Sequence, residues 1–276
     1  MMKDIINTPK QDSPVEVVEL NSKRVAVPFL VPSKGKLSGN NFDGNIRLLP
    51  MTASHLLMLL TPALYNNDLV FVNILKDCVL DLPFDVIELL TQDKDAIIMA
   101  IRAISYGNDH KITVECDSCG HEYITNVNLE RDIKVDYLES DKLKMPIEIP
   151  KTLLNESKSV NLRYKTWRDN IAVSKTSEAQ TSDSLDSSIL DFLELVITEV
   201  EGIGKNSLDI REWLNGISAH DIGVLLSVAN SEKFGINAEF TPEPCPKCGH
   251  VFKTIFRTDP SFFRATAPEA FLEGLY

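Results

Sequence analysis

The apolar positions change their period twice along the chain, and each change marks a different kind of structure. Val25 to Val31 is strand-like, and dense turn chemistry follows at Pro32-Ser33-Lys34-Gly35-Lys36 and Gly39-Asn40-Asn41. Asn45 to Leu49 makes a short strand, and Thr52 is placed to cap a helix over Ala53 to Leu60. Leu69, Val72, Leu75 and Val79 recur at three-to-four spacing and predict a helix from Asp68 to Val79. A short helical piece, Asp85 to Leu90, follows Leu82-Pro83. Thr91 can then cap a longer helix over Asp93 to Tyr106, where Ala96, Ile97, Met99, Ala100, Ile101 and Ile104 give a wide apolar face. Such a helix belongs in a core, and Gly107 can end it by taking positive φ.

At this point the period drops from about 3.6 to 2. Lys111 to Glu115 and Glu122 to Val127 alternate, and between them lies Cys116-Asp117-Ser118-Cys119-Gly120-His121. Ile147 to Ile149 and Ser159 to Tyr164 are further strands, and Trp167 to Val173 is a helix. The stretch over about 175–188 is rich in Ser, Thr and Asp without apolar period, as in a mobile surface loop. Ile189 to Val200 reads as helix through Leu190, Leu193, Ile197 and Val200. Ser207 caps Leu208 to Leu214, and Ser218 with Asp221 caps a helix reaching Ala229. The period then changes again: Phe234-Gly235 closes a helix, Ile236 to Phe240 is extended, Cys245-Pro246-Lys247-Cys248-Gly249-His250 follows, and Val251 to Arg257 is a strand. The order helix end, strand, CxxCGH, strand therefore occurs twice, as in a weak internal duplication. Phe262 and Phe263 just beyond are anchors for the ribbon or for a partner.

These elements predict an α+β fold: a mainly helical body with short strands and a split zinc ribbon formed by two CxxCGH hairpins. An extended N-terminal arm covers 1–22. A single domain covers 23–276, with its knuckles at 111–129 and 236–257.

Composition narrows what such a fold can do. The 276 residues are 43% hydrophobic and 25% charged, ample for a buried core. No run approaches the roughly 18 apolar residues of a membrane span, and Met1 to Ser13 lacks the apolar stretch of a secretory signal, so cytosolic synthesis is expected. The net charge of −12 repels a phosphate backbone. Lys142 to Lys144 is offset by Glu139 and Asp141, so nucleic acid is not an expected partner.

Four of the five cysteines form two pairs of identical spacing; the fifth, Cys78, sits among apolar residues and reads as a small buried hydrophobe. Zinc takes four ligands in a tetrahedron, and thiolates are its usual structural ones. Two cysteines separated by two residues reach one ion when the backbone turns tightly between them, and glycine after the second permits that turn. Each knuckle supplies half a site. Cys116, Cys119, Cys245 and Cys248 together close the shell around one structural zinc ion per chain, leaving no position for a substrate. In a compact ribbon the knuckles lie roughly 15–20 residues apart, whereas here residues 120–244 intervene. One ion would staple two distant halves and make the segment between them an insertion. Rival readings are a redox dithiol, separate half-sites completed by other chains, and a site that has lost its metal. Cys116 and Cys245 stand at strand ends rather than at the helix start that a dithiol prefers. With four thiolates present, His121 and His250 read as hydrogen-bonding turn residues.

Catalytic signatures are missing: there is no GxSxG, GxxxxGK[ST], HExxH or GxGxxG. Gly202-Ile203-Gly204-Lys205 reads as the turn closing a helix. His55, His110 and His220 lack metal spacing, and Asp93/Asp95 and Glu199/Glu201 suit helix ends or surfaces. The expectation is a non-enzyme with no small-molecule substrate.

Several blocks together resemble a known family. Val31-Pro32-Ser33-Lys34-Gly35 followed by Arg47-Leu48-Leu49-Pro50-Met51-Thr52 is similar to the opening of the T4-type phage baseplate hub and hub-assembly proteins. The stretch from Asp93 through Tyr106-Gly107 to Ile112-Thr113-Val114-Glu115-Cys116 also resembles that family. So does Cys245 to His250 with Asp259-Pro260-Ser261-Phe262-Phe263. The resemblance implies a structural or assembly protein of the central hub of a contractile tail. Its partners would be other tail and baseplate proteins, and its place the virion baseplate, or the host cytoplasm during assembly. The reading from a different class is a zinc-ribbon nucleic-acid or transcription accessory protein, which the charge opposes; a third is a metal or redox enzyme, which needs an open coordination position.

Overall fold

A computed structural model describes residues 24–37, 42–61, 69–139, 146–149, 158–179, 187–231, 234–256 and 262. The expected arm 1–22, Gly39-Asn40-Asn41, Lys142 to Lys144 and Phe263 lie outside the described residues. The fold is mixed α+β, as the periodicity predicts.

Strands β1 (Val27–Leu30), β2 (Asn45–Leu48) and β3 (Val79–Leu80) form an antiparallel sheet in that order. In β2 the alternation is clean: Ile46 and Leu48 point inward, Asn45 and Arg47 outward. Helix α1 (Ala53–Leu59) begins at Thr52, whose backbone N–H donates to His55 Nδ1 at 2.9 Å. Helix α2 (Leu69–Cys78) leads to β3, and a 3-10 turn, Val86–Glu88, is started by Asp85, whose carboxylate accepts from the Ile87 N–H. Helix α3 (Thr91–Tyr106) is the core helix, with Ala96, Ile97 and Ile101 fully buried, and Gly107 at φ 88° ends it. Burying each of the two isoleucines contributes about 2 kcal/mol.

The start of α3 differs from expectation. Thr91 lies inside the helix with Leu90 at the cap, because this helix end is buried and its first turn is used to hold other segments. The Thr91 N–H donates to the Lys165 carbonyl at 3.2 Å. Asp93 accepts from the Ser33 N–H at 2.8 Å and from its hydroxyl at 2.5 Å. Gln92 packs on Gly235, where any Cβ would sit 2.9 Å from its own. Three segments far apart in sequence thus meet on one helical turn.

Strands β4 (Asp109–Glu115) and β5 (Glu122–Asn128) form the first ribbon hairpin with full antiparallel register, Asp109 facing Asn128 and Glu115 facing Glu122. β6 (Lys134–Asp136) pairs with β10 (Gly235–Asn237), which sits against α3. β7 (Pro146–Ile149), β8 (Lys158–Leu162) and β9 (Ile197–Val200) make a second antiparallel sheet. The same stretch of chain forms α4 (Trp167–Ala179), α5 (Ser188–Val196), α6 (Ser207–Gly216) and α7 (Ala219–Ala229); α5 and α6 contact β9, and α4 and α7 pack on α5. The second ribbon hairpin is β11 (Glu239–Phe240) with β12 (Thr254–Ile255).

Several segments differ from what the periodicity predicts. Ile197 to Val200 is strand, not the end of a helix: its β-branched Ile197 and Val200 pair with Leu162 and Val160, and Glu199 pairs with Asn161. Gly202-Ile203-Gly204 consequently follows a strand and closes a turn in which Val200 and Gly204 exchange backbone hydrogen bonds. Residues 175–179, expected in a mobile loop, continue α4, since a helix once nucleated extends through polar residues; 180–186 lie outside the described residues. Asn206, not Ser207, caps α6 by accepting from the Leu208 N–H. Helix α7 stops at Ala229, so Phe234-Gly235 leads into β10, which begins at Gly235, instead of ending a helix, and β12 is shorter than the predicted Val251 to Arg257.

Buried apolar side chains gather mainly in two places. The larger cluster joins the first sheet, α2, α3 and the ribbon through Val114, Val127, Phe240 and Phe252. The smaller one belongs to the segment between the knuckles, with Val160, Leu193, Val196, Ile210, Leu214 and Leu225. Trp167, at the start of α4, belongs to the larger cluster: it is 1% exposed, its backbone N–H donates to the Leu89 carbonyl, and Lys94 lies over its ring.

Candidate metal centre

Each knuckle is the turn of its hairpin and follows the same backbone pattern. In the first, the Cys116 N–H donates to the His121 carbonyl (3.0 Å) and the Gly120 N–H to the Cys116 carbonyl (2.9 Å). In the second, Cys245 donates to His250 (3.0 Å) and Gly249 to Cys245 (2.8 Å). Gly120 and Gly249 take φ 66° and 71°, the left-handed conformation that a side chain resists. Both amide patterns turn the two sulfurs of a knuckle to the same side.

The fold brings the four sulfurs together, all within 4.8 Å of one another. Cys116 Sγ lies 3.7 Å from Cys248 Sγ, and Cys119 Sγ lies 3.8 Å from Cys245 Sγ. A tetrahedral zinc ion with arms of about 2.3 Å requires sulfur–sulfur edges of about 3.8 Å, so the donor set fits that ion in type, number and size. Cys116 and Cys245 are buried at the base, Cys119 is half-buried and Cys248 exposed at the rim.

Electrostatics point the same way. Burial resists ionisation of Cys245, but the N–H groups of Cys248 and Lys247 directed at its sulfur bring its pKa down to about 7. The His250 N–H favours a thiolate at Cys248 too, yet the crowding by Cys119, Cys116 and Cys245 pushes that thiol up to about 12. Four thiolates this close repel one another, and a divalent cation offsets the repulsion.

Neither knuckle histidine belongs to the cluster. His121 stacks on Tyr123 and His250 on Phe252, and His250 Nε2–H donates to Asp117 Oδ1 of the opposite knuckle at 3.0 Å. Cys78 is fully buried, and burial raises its thiol to about 11. It adjoins His55 and Asp77, yet this trio is no second metal site. His55 Nδ1 already accepts the Thr52 N–H, so Nε2 carries the proton, donates it to Asp77 Oδ2 at 3.0 Å, and has no lone pair for a metal. The Arg24 guanidinium occupies the cationic position beside Asp77, 2.9 Å away.

Four residues to which the sequence pattern gives no part in the site matter here: Thr125, Tyr123, Arg102 and His110. Thr125 is 1% exposed on the inward face of β5, and Tyr123 is on the same face. A polar residue at an inward position of an alternating strand is the signal that could have found Thr125. Arg102, 1% exposed within α3, donates from Nε to the Phe262 carbonyl at 2.9 Å and lies over the Phe262 and Tyr106 rings. His110 adjoins the same guanidinium and packs edge-on against Phe256 and Phe262. Phe262 is thereby an anchor of the ribbon to the core.

A family model described as T4 bacteriophage base plate protein matches residues 28–264, which takes in both knuckles and all that lies between them. No curated protein and no solved structure matches the chain.

Proposed function

The chain belongs to the T4 bacteriophage base plate protein family, and from that premise we propose that it is a non-catalytic structural or assembly protein of the baseplate hub. In this proposal one zinc ion, held by Cys116, Cys119, Cys245 and Cys248, fixes the ribbon that joins the two ends of the domain. The observation that carries the reading is the meeting of four thiols from knuckles 126 to 132 positions apart at the edge length of a zinc tetrahedron. When bound, the ion supplies a rigid cross-link and no reaction chemistry, since four thiolates leave no coordination position for a substrate. The chain's own contribution is a shaped surface, held still, for other tail proteins to dock on. Placement in the virion tail follows from the family; the hub, and a period in the host cytoplasm during assembly, are parts of the proposal. No helix among the described residues is long and apolar enough to cross a membrane.

Co-expression of the affinity-tagged chain with the other baseplate proteins of its phage tests the role. Co-purification of hub proteins with wild type, lost when Cys116→Ser and Cys245→Ser are combined, is the expected outcome. Equal recovery of hub proteins with the metal-free variant would separate the docking function from the metal.

A further inference from the structure

The two knuckles touch through polar groups as well as through sulfur. The Tyr123 hydroxyl donates to the Glu243 carbonyl at 2.6 Å, and the Glu243 N–H donates to Thr125 Oγ1 at 3.3 Å. Tyr123 and Thr125 are alternate residues of β5, so one face of one strand grips both backbone groups of a single residue two positions before Cys245. The Glu243 side chain itself is exposed, so the grip is on the backbone. On the other side of the knuckles, His250 reaches Asp117. Phe252 holds in the second knuckle the place that Tyr123 holds in the first, but it has no hydroxyl to donate.

We propose that Tyr123 and Thr125 are positioning residues for the metal centre: they seat the second knuckle on the first before the ion binds, so that zinc meets four thiols already gathered. This rests on the zinc reading above. The physical cause is preorganisation. Ordering two separate hairpins costs conformational entropy, and contacts that order them without the ion leave more of the metal–sulfur energy to appear as affinity.

The test is zinc affinity, measured on the full chain by competition with a chromophoric chelator. Tyr123→Phe keeps the ring and removes the hydroxyl, and it is expected to weaken zinc binding by roughly tenfold or more, the usual effect of losing an outer partner of a metal site. One ion per chain and the four-thiolate spectrum of the cobalt-substituted protein should both persist. Thr125→Val should weaken binding in the same direction, Thr125→Ser should restore it, and Glu243→Ala should match wild type because the backbone is unchanged. Wild-type affinity in both Tyr123→Phe and Thr125→Val would overturn the positioning role while leaving the metal centre standing. Absence of zinc from the wild-type protein would overturn the metal centre, and the positioning role with it.

Discussion

Cys116 and Cys248 bring their sulfurs to 3.7 Å although 132 positions separate them in the chain. A cation shared between them closes a loop around the whole helical segment with its own core. Substituting Cys116→Ser or Cys245→Ser is expected to remove zinc and stability together. Structural zinc contributes on the order of 10 kcal/mol gross, part of it spent on ordering the ligands. A net loss of about 3–5 kcal/mol lowers Tm by roughly 10 °C in a chain of this size. Cys78→Ala is the contrast: it should leave zinc content unchanged, and the native Cys78 thiol should resist alkylation because it is buried and un-ionised.

Asp93 gives the fold a pH dependence of unusual sign. Burial raises its carboxyl to about 6 in the folded chain, despite the two hydrogen bonds from Ser33. Unfolded, it titrates near 3.9. Between these values the folded state binds the extra proton, so this residue's contribution falls as pH rises from about 4 to about 6 and is level above. The fall amounts to roughly 3 kcal/mol. Urea denaturation of wild type and Asp93→Asn across that window measures it, because Asn keeps a hydrogen bond to Ser33 and cannot ionise. The stability difference between them should slide by that amount; a constant difference would show that Asp93 titrates alike in both states.

Gly235 is held at φ 115° with Gln92 against it, and a Cβ there would lie 2.9 Å from the Gln92 Cβ. Gly235→Ala therefore carries both backbone strain and a clash, and should destabilise by about 2–3 kcal/mol. Gly204, at φ 103° with nothing near its missing Cβ, isolates the strain: Gly204→Ala should cost about 1 kcal/mol. Equal effects in denaturant titrations would mean that the contact with Gln92 is immaterial.

Arg102 is a buried guanidinium held by the carbonyls of Phe262 and Gly107 and by the Tyr106 and Phe262 rings. Lysine has no planar fork to reach both carbonyls at once. Arg102→Lys should therefore destabilise by roughly 2–3 kcal/mol, the worth of charged hydrogen bonds lost in a buried place. Phe262→Ala should cost a similar amount through lost packing, and the double variant should fall short of the sum, since both remove one contact. Full additivity would place the two residues in separate interactions.

Local pattern made much of this fold legible. The wide apolar face of Asp93 to Tyr106, the alternation on both sides of Cys116 to His121, and the glycine after each CxxC pair all depend on neighbours in sequence. What was not legible depends on partners far away. Ile197 and Val200 fit helical spacing, and only pairing with β8, some 38 positions earlier at Asn161 and Glu199, makes them strand. Asp93 looks like a helix-end acid until Ser33, 60 positions away, covers it. Tyr123 and Thr125 look like ordinary strand residues until Glu243 arrives. The cysteines are the exception: their chemistry is specific enough to name a partner across the chain without any view of the path between.

Metal content of the purified chain tests the staple most directly. Elemental analysis should find one zinc ion per chain, and chelation should remove it and lower Tm together. A wild-type protein without bound metal, melting unchanged after chelation, would contradict the four-cysteine site that joins the two hairpins.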